Sequence, residues 1–396
     1  MAGQFTCPNC RASDTEQFHT ARNVPTNSCI LLTSREEAKA YPRGHIELRF
    51  CRDCGFISNA LFDAKLTEYS ERYEETQGFS PTFNTFHREL AERLINKHDL
   101  RGKRVMEIGC GKGEFLLMLC QLGDNHGIGF DPSYRPERTP EAAAVEVEFV
   151  RDFYSEKYRD TSADFVACKM TLEHIHPTAD FIGMVRRAIG DRPDTVVFFQ
   201  IPDVMRILRD CAFEDIYYEH CSYFGPLSLA HLFRSCGFTI QQIDTEYGDQ
   251  YLTIEARPGS GDTGDDRQSA ADTAARGELN ELVQSFPTRF QEKLDFWRRR
   301  LDSARASGQR VVLWGSGSKA VSFLSSLDLG DEVAAAVDIN PHRHGYFMPG
   351  SGHEILAPEV LPGRPPDLVI VMNAIYRDEI AADLAKLGLR PEIVCV

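Results

Sequence analysis

The chain has 396 residues, enough for two or three domains rather than a single core. Its hydrophobic fraction of 42% and charged fraction of 26% are those of a soluble globular protein, and no apolar run reaches the length of a membrane span. With 59 acidic against 44 basic residues and a net charge of −15, broad binding to nucleic-acid phosphates or anionic membranes is disfavoured.

The opening residues Met1 to Cys7 lack an apolar signal core, so a cytoplasmic protein with its 12 cysteines reduced is expected. A first block, residues 1–75, holds Cys7-Pro8-Asn9-Cys10 and Cys51-Arg52-Asp53-Cys54-Gly55. Each C-x-x-C pair places two thiolates on one tight turn, and two such turns complete a tetrahedral zinc site. Four sulfurs leave no open position for a substrate, so the expected zinc is structural. Ile46 to Phe50 alternates as a strand leading into the second knuckle, and Cys29, His19 and His45 read as bystanders.

The second block, residues 76–258, opens on Val105-Met106-Glu107-Ile108-Gly109-Cys110-Gly111-Lys112-Gly113. An apolar strand runs into an acid and three alternate glycines, and Glu114 to Leu119 then starts a helix. Glycines let the backbone turn sharply and lie against a ligand. Glu107 is placed to hold a cationic group. A second strand, Gly127 to Phe130, ends in Asp131, at a distance that suits a ribose diol. Nicotinamide enzymes use G-x-G-x-x-G instead; the form here resembles S-adenosylmethionine (SAM) methyltransferases. Further strands are expected at 145–150, 165–168, 195–201 and 251–256, with helices at 181–189 and 227–236, giving a mostly parallel sheet covered on both faces. Asp152, after the third strand, either reaches the adenine amine or stands as a solvated surface acid. Thr171-Leu172-Glu173-His174-Ile175-His176 follows the fourth strand, and Tyr217-Tyr218-Glu219-His220-Cys221-Ser222-Tyr223-Phe224 comes after the fifth. A histidine can take a proton at neutral pH. Glu219 is placed to orient its ring or bind a substrate hydroxyl, and Tyr217 to donate to a developing oxyanion.

Residues 258–275 are polar and glycine-rich and read as a linker, followed by a long charged helix from about 274 to 307 that Pro287 interrupts or restarts. The third block, residues 275–396, carries a second nucleotide-fold signature: strand Arg310 to Trp314, turn Gly315-Ser316-Gly317-Ser318-Lys319, helix 320–327, and a strand 333–337 ending in Asp338. Gly315, Gly317, Ser318 and Lys319 suit a diphosphate, although a bare packing turn satisfies the same pattern.

Taken in order, the two knuckles, Glu-Ile-Gly-Cys-Gly-Lys-Gly, Tyr-x-Glu-His-x-Ser-Tyr-Phe, and Gly-x-Gly-Ser-Lys with Val-Asp-x-Asn-Pro resemble the deoxysugar C-methyltransferases. That family methylates C-3 of nucleotide-linked 4-keto sugars. The resemblance covers nearly the whole chain. It implies an α/β protein with a zinc-binding domain, a class I Rossmann-like methyltransferase sheet and a C-terminal Rossmann-like substrate domain. It also implies that His220 is the general base, with Tyr217, Glu219 and His174 as active-site partners. Tyr73, Ser80 and His87 fall in a segment similar to the one that closes over SAM. The expected cofactor contacts are Glu107, Gly109, Gly111, Gly113, Asp131, Tyr73 and Asp152, and the expected partner is a small molecule, a nucleotide-sugar in this reading. Two alternatives remain: a SAM-dependent O- or N-methyltransferase, and an RNA-binding or RNA-modifying zinc-knuckle protein. The second would need a basic groove, and Arg11, Arg22, Lys39, Arg43, Arg49, Arg52 and Lys65 are interspersed with acids.

Overall fold

A computed structural model describes residues 5–259 and 270–396. Most of the expected linker, 260–269, lies outside the described residues. Three sheets organise the remainder.

The first sheet is antiparallel and joins Thr15–Pro25, Arg43–Cys51 and Ile57–Asn59 to a fourth strand from far along the chain, Ser222–Tyr223. Tyr223 pairs with Ile57 and Ser222 with Ser58, so the segment just after His220 is held as an edge strand of the N-terminal block. Beside it the Tyr218 ring lies over Gly44, where a Cβ would come within 2.3 Å of the ring. Gly44→Ala is therefore expected to cost about 1–3 kcal/mol by overpacking, read as a lower midpoint of thermal unfolding.

The second sheet has seven strands. In order these are Phe238–Glu246, Tyr251–Pro258, Val196–Pro202, Phe165–Lys169, Arg104–Ile108, His126–Phe130 and Val147–Val150. Tyr251–Pro258 runs antiparallel to both neighbours while the other described pairings are parallel, which is the class I methyltransferase arrangement. Phe238–Glu246 was not foreseen as a strand. It is the sheet edge and mostly solvent-facing, so its sequence lacks a strong apolar signal. The central strands Phe165–Lys169 and Val196–Pro202 are buried at all positions but Pro202, consistent with helices on both faces. On one face, Glu114–Gly123 and Pro81–His98 bring together Leu90, Leu94, Phe115, Leu116 and Leu119.

The third sheet is wholly parallel, in the order Ile355–Leu356, Ala335–Val337, Val311–Trp314, Leu368–Val371, Glu392–Cys395. The helix before it, Ala270–Ala306, passes through Pro287 without a break, contrary to expectation. Phe286, Leu294, Trp297 and Leu301 are buried on either side of the proline. That packing outweighs the single backbone hydrogen bond the proline removes.

Candidate active site

The carboxyl ends of the second and third sheets face one cavity of about 640 Å³. Glycine turns from both sheets line it: Gly109 and Gly111 on one side, Gly315 and Gly317 on the other. Gly109 has φ +70°, and a Cβ there would meet the Thr171 hydroxyl at 2.0 Å, so no other residue fits this turn undisturbed. Asp131 accepts from the Gly111 N–H at 2.9 Å and from the Ser133 N–H at 2.7 Å. The third sheet repeats this device, with Asp338 accepting from the Ser316 N–H at 2.9 Å and the Asn340 N–H at 2.9 Å.

Glu107 lines the cavity floor and is fully buried, with Oε2 lacking a partner; burial pushes it up to about 8. Close by is a lysine that belongs to none of the sequence motifs. Lys169 ends its strand inside the cavity, hydrogen-bonded to His87 Nε2 at 2.7 Å and 3.9 Å above the Phe115 ring. Burial lowers it to about 8 while Glu107 pulls it upward, and His87 is driven to about 2 by burial and the neighbouring ammonium. The available signal was a lysine closing an otherwise apolar strand, Phe-Val-Ala-Cys-Lys, beside the strand that carries Glu107.

Between the two turns lie Tyr217, His220, His174 and Glu173. The Tyr217 hydroxyl is 2.6 Å from His220 Nε2, and the Tyr69 hydroxyl is 2.9 Å from His174 Nδ1. Burial holds both phenols well above their ordinary range, so each keeps its proton and donates to its histidine. Burial also drives His220 well below 6.5, helped by His174 and Lys319, and brings His174 to about 4. Both imidazoles are neutral at pH 7. The His220 Nε2 lone pair therefore faces Tyr217, and His174 carries its proton on Nε2.

Other expected site residues are placed differently. Glu219 neither lines the cavity nor reaches the His220 ring; it accepts from Asn27 Nδ2 at 2.9 Å, the Ser28 N–H at 2.8 Å and the Ser28 hydroxyl. It ties the histidine segment to the N-terminal block. Gly113 is not at the cavity wall either; with φ +85° and a Cβ that would sit 2.5 Å from Phe149, it permits close helix–sheet packing. The Asp152 carboxylate turns outward to Tyr158 at 2.7 Å and Lys157 at 3.1 Å, and Phe153 lines the cavity instead. Tyr73 is buried at the wall and its carbonyl accepts from Lys112 Nζ at 2.8 Å. Ser318 lies 2.6 Å from the Ser28 hydroxyl, while Lys319 is paired with Asp215. The buried guanidinium of Arg343, unremarked in the sequence, joins this wall through Ser316 at 3.2 Å and the Glu74 carbonyl.

Away from the cavity, the Sγ atoms of Cys7, Cys10, Cys51 and Cys54 lie within 4.8 Å of one another. Cys29 takes no part in that cluster and lines the cavity near Arg343. His19 packs between the rings of Phe286 and Phe290, and His45 Nδ1 accepts from the Asn23 N–H. Arg11, Arg49 and Arg52 are each tied to an acid, which leaves little support for a basic groove.

Two family profiles match this chain. Residues 80–243 match the profile described as "Methyltransferase domain" and residues 266–390 that described as "C-methyltransferase C-terminal domain". The chain belongs to the SAM-dependent C-methyltransferases. The "C-methyltransferase NovU" of Streptomyces niveus is 25% identical to this methyltransferase over 305 residues, covering 74% of this chain and 72% of that one. The "Ubiquinone biosynthesis O-methyltransferase" of Neisseria meningitidis serogroup C is 24% identical over 143 residues, 34% of this chain and 59% of the relative. Among solved structures, the 1,6-didemethyltoxoflavin-N1-methyltransferase of Burkholderia thailandensis aligns at 18% identity and a TM-score of 0.36, over 45% of this chain and 81% of its own. Among the described residues no helix is long and apolar enough to cross a membrane.

Proposed function

We propose that this methyltransferase moves the methyl group of SAM to a carbon beside a ketone in a nucleotide-linked sugar, with His220 as the base. The observation that carries this reading is one cavity shared by two nucleotide-fold glycine turns, one for the adenosyl donor and one for a second nucleotide. On the donor side, Asp131 takes the ribose hydroxyls, Gly109, Gly111 and Tyr73 shape the walls, and Glu107 and Lys169 meet the ammonium and carboxylate of the methionine end. On the acceptor side, Gly315, Gly317 and Ser318 offer backbone and hydroxyl donors to a diphosphate. Lys319 and Arg343 supply positive charge. The division into 1–75, 76–258 and 275–396 goes with this reading, each block supplying one wall or support of the site.

A proton on carbon next to a ketone is acidic because the carbanion delocalises onto oxygen. As the acceptor enters, the Tyr217 hydroxyl turns from His220 Nε2 to the enolate oxygen; the freed Nε2 lone pair removes the proton, and the Nε2–H of His174 donates to the same oxygen. When bound, SAM supplies an electrophilic methyl on sulfonium. The protein holds the two reactants at attack distance in a dry pocket, which contributes several kcal/mol. Incubation with methyl-labelled SAM and a panel of nucleotide-linked keto sugars tests the assignment by mass spectrometry. One added methyl on carbon is the expected product; transfer to oxygen or nitrogen, or to none of the sugars, defeats it.

The donor side has its own test. Lys169→Met is expected to weaken S-adenosylhomocysteine by about 10- to 100-fold, the worth of a hydrogen bond to a charged group. Affinity for 5′-methylthioadenosine, which lacks the amino-acid end, should hold. Equal losses for both ligands in calorimetry would remove Lys169 from this role.

The four cysteines fit a structural zinc ion. Tetrahedral zinc with bonds of about 2.3 Å separates its sulfurs by about 3.8 Å, and the Cys7–Cys54 and Cys10–Cys51 pairs stand 3.8 and 3.5 Å apart. Asn9 Nδ2, 3.5 Å from Cys54 Sγ, adds the donor that a thiolate ligand requires.

A further inference from the structure

Glu173 is the anomaly of the cavity. It lies on the short turn after Phe165–Lys169, between the two histidines, and is 2% exposed. Neither carboxyl oxygen has a hydrogen-bond partner. Its Oε1 is 4.0 Å from His220 Nε2, and the donor atoms of Glu173, His174 and His220 fall within 4.8 Å of one another. An unpaired buried carboxyl costs stability, the more so when ionised, and such groups persist where they are used.

The titratable groups around it come from every neighbouring element. They are Cys168 and His174 on its own segment, Tyr217, His220 and Cys221 on the histidine segment, Tyr69 from the N-terminal side, and Tyr251 from the reversed strand. None of these is a cation at neutral pH, and Lys319, which reaches His220, is paired with Asp215. Burial accordingly raises Glu173 to about 8. The carboxyl thus keeps its proton at pH 7, and no hydrogen bond within the protein holds that proton back from an incoming oxygen.

We propose that Glu173 is a further catalytic residue of this site, a neutral carboxylic acid that donates a hydrogen bond to the acceptor's carbonyl oxygen as His220 takes the adjacent proton. The step balances simply: the C–H pair moves into the enolate, its proton goes to His220 Nε2, and the Glu173 proton stays on its carboxyl while shared with the oxyanion. A carboxylic acid held neutral by an apolar site can serve as an oxyanion donor in this way. The inference rests on the keto-acceptor reading above.

The experiment follows deuterium uptake from heavy water into the α-carbon of a thymidine diphosphate-linked 4-keto-6-deoxyhexose, with saturating S-adenosylhomocysteine so that no methyl is transferred. Wild type should exchange, and Glu173→Ala should exchange about 10²- to 10³-fold more slowly, the loss expected for one oxyanion donor. Glu173→Gln, which keeps an N–H donor, should stay within about tenfold of wild type. The sign of the pH dependence is set by the protonated form being active. Wild-type exchange should fall as pH rises through about 8, and the glutamine variant should lack that limb. A carboxylic-acid C=O band in the infrared spectrum at pH 7, absent from Glu173→Gln, reads the same proton without any acceptor. If Glu173→Gln is as slow as Glu173→Ala, the ionised carboxylate is what matters, as base or metal ligand, and the proposal fails. No exchange by wild type would defeat the keto-acceptor reading itself, whereas wild-type exchange unchanged in Glu173→Ala would defeat this inference alone.

Discussion

Replacing His220 with alanine should lower methyl transfer by about 10²- to 10⁴-fold while S-adenosylhomocysteine binds as in wild type. The ring is fully buried, its Nε2 sits 2.6 Å from the Tyr217 hydroxyl, and burial keeps it neutral. A neutral imidazole is base-competent, and with its protonation pushed well below 6.5 the rate should show no acid limb near pH 6.5. A base that had to lose a proton there would show one. Tyr217 and His174 remain in the variant to polarise the carbonyl, so the loss reports proton removal. Deuterium uptake at the α-carbon should disappear together with methylation. If His220→Ala retained full turnover with intact donor binding, the base would have to be sought elsewhere in the cavity.

The second large effect is expected far from the cavity. Cys54→Ser removes one of four sulfurs at a position 1% exposed, in a core shared with Phe56, Phe224 and Leu229. Loss of a structural zinc site removes folding energy directly, on the order of 5 kcal/mol or more, and the midpoint of unfolding should drop by about 10 °C or more. Turnover should fall as well. The sheet that follows the knuckles carries Ser222–Tyr223 as its edge strand, and Glu219 is anchored on Ser28 and Asn27 of the same block. Loosening that block frees the segment that aims His220. Atomic absorption on the purified protein and a thermal scan test this: a wild type without zinc, or a variant that keeps both its metal and its midpoint, would end the argument.

The features legible in the chain were those that residue type and short spacing impose. Alternate glycines after a strand, an acid at the end of the next strand, and paired C-x-x-C turns each require their geometry within a few residues. Both glycine turns and the cysteine cluster are accordingly found where expected. Pro287 misled because a local rule was outweighed by the aromatic packing on either side of it. The edge strand Phe238–Glu246 was missed because an exposed strand needs no apolar alternation.

By itself, the sequence determined a block with two paired-cysteine turns followed by two units that each open on a strand and a glycine turn, and SAM as the methyl donor. Only the tertiary structure decided how the acids and bases are shared out. Glu219 bonds to Ser28, 191 positions away, and Arg343 reaches Cys29 across 314. Lys169 and Glu107 line the same cavity because their strands are neighbours in the sheet. Glu173 is buried without a hydrogen-bond partner, among groups that the fold brings from separate segments of the chain. Burial and the company a side chain keeps set its charge, and neither is written in its immediate neighbours along the chain.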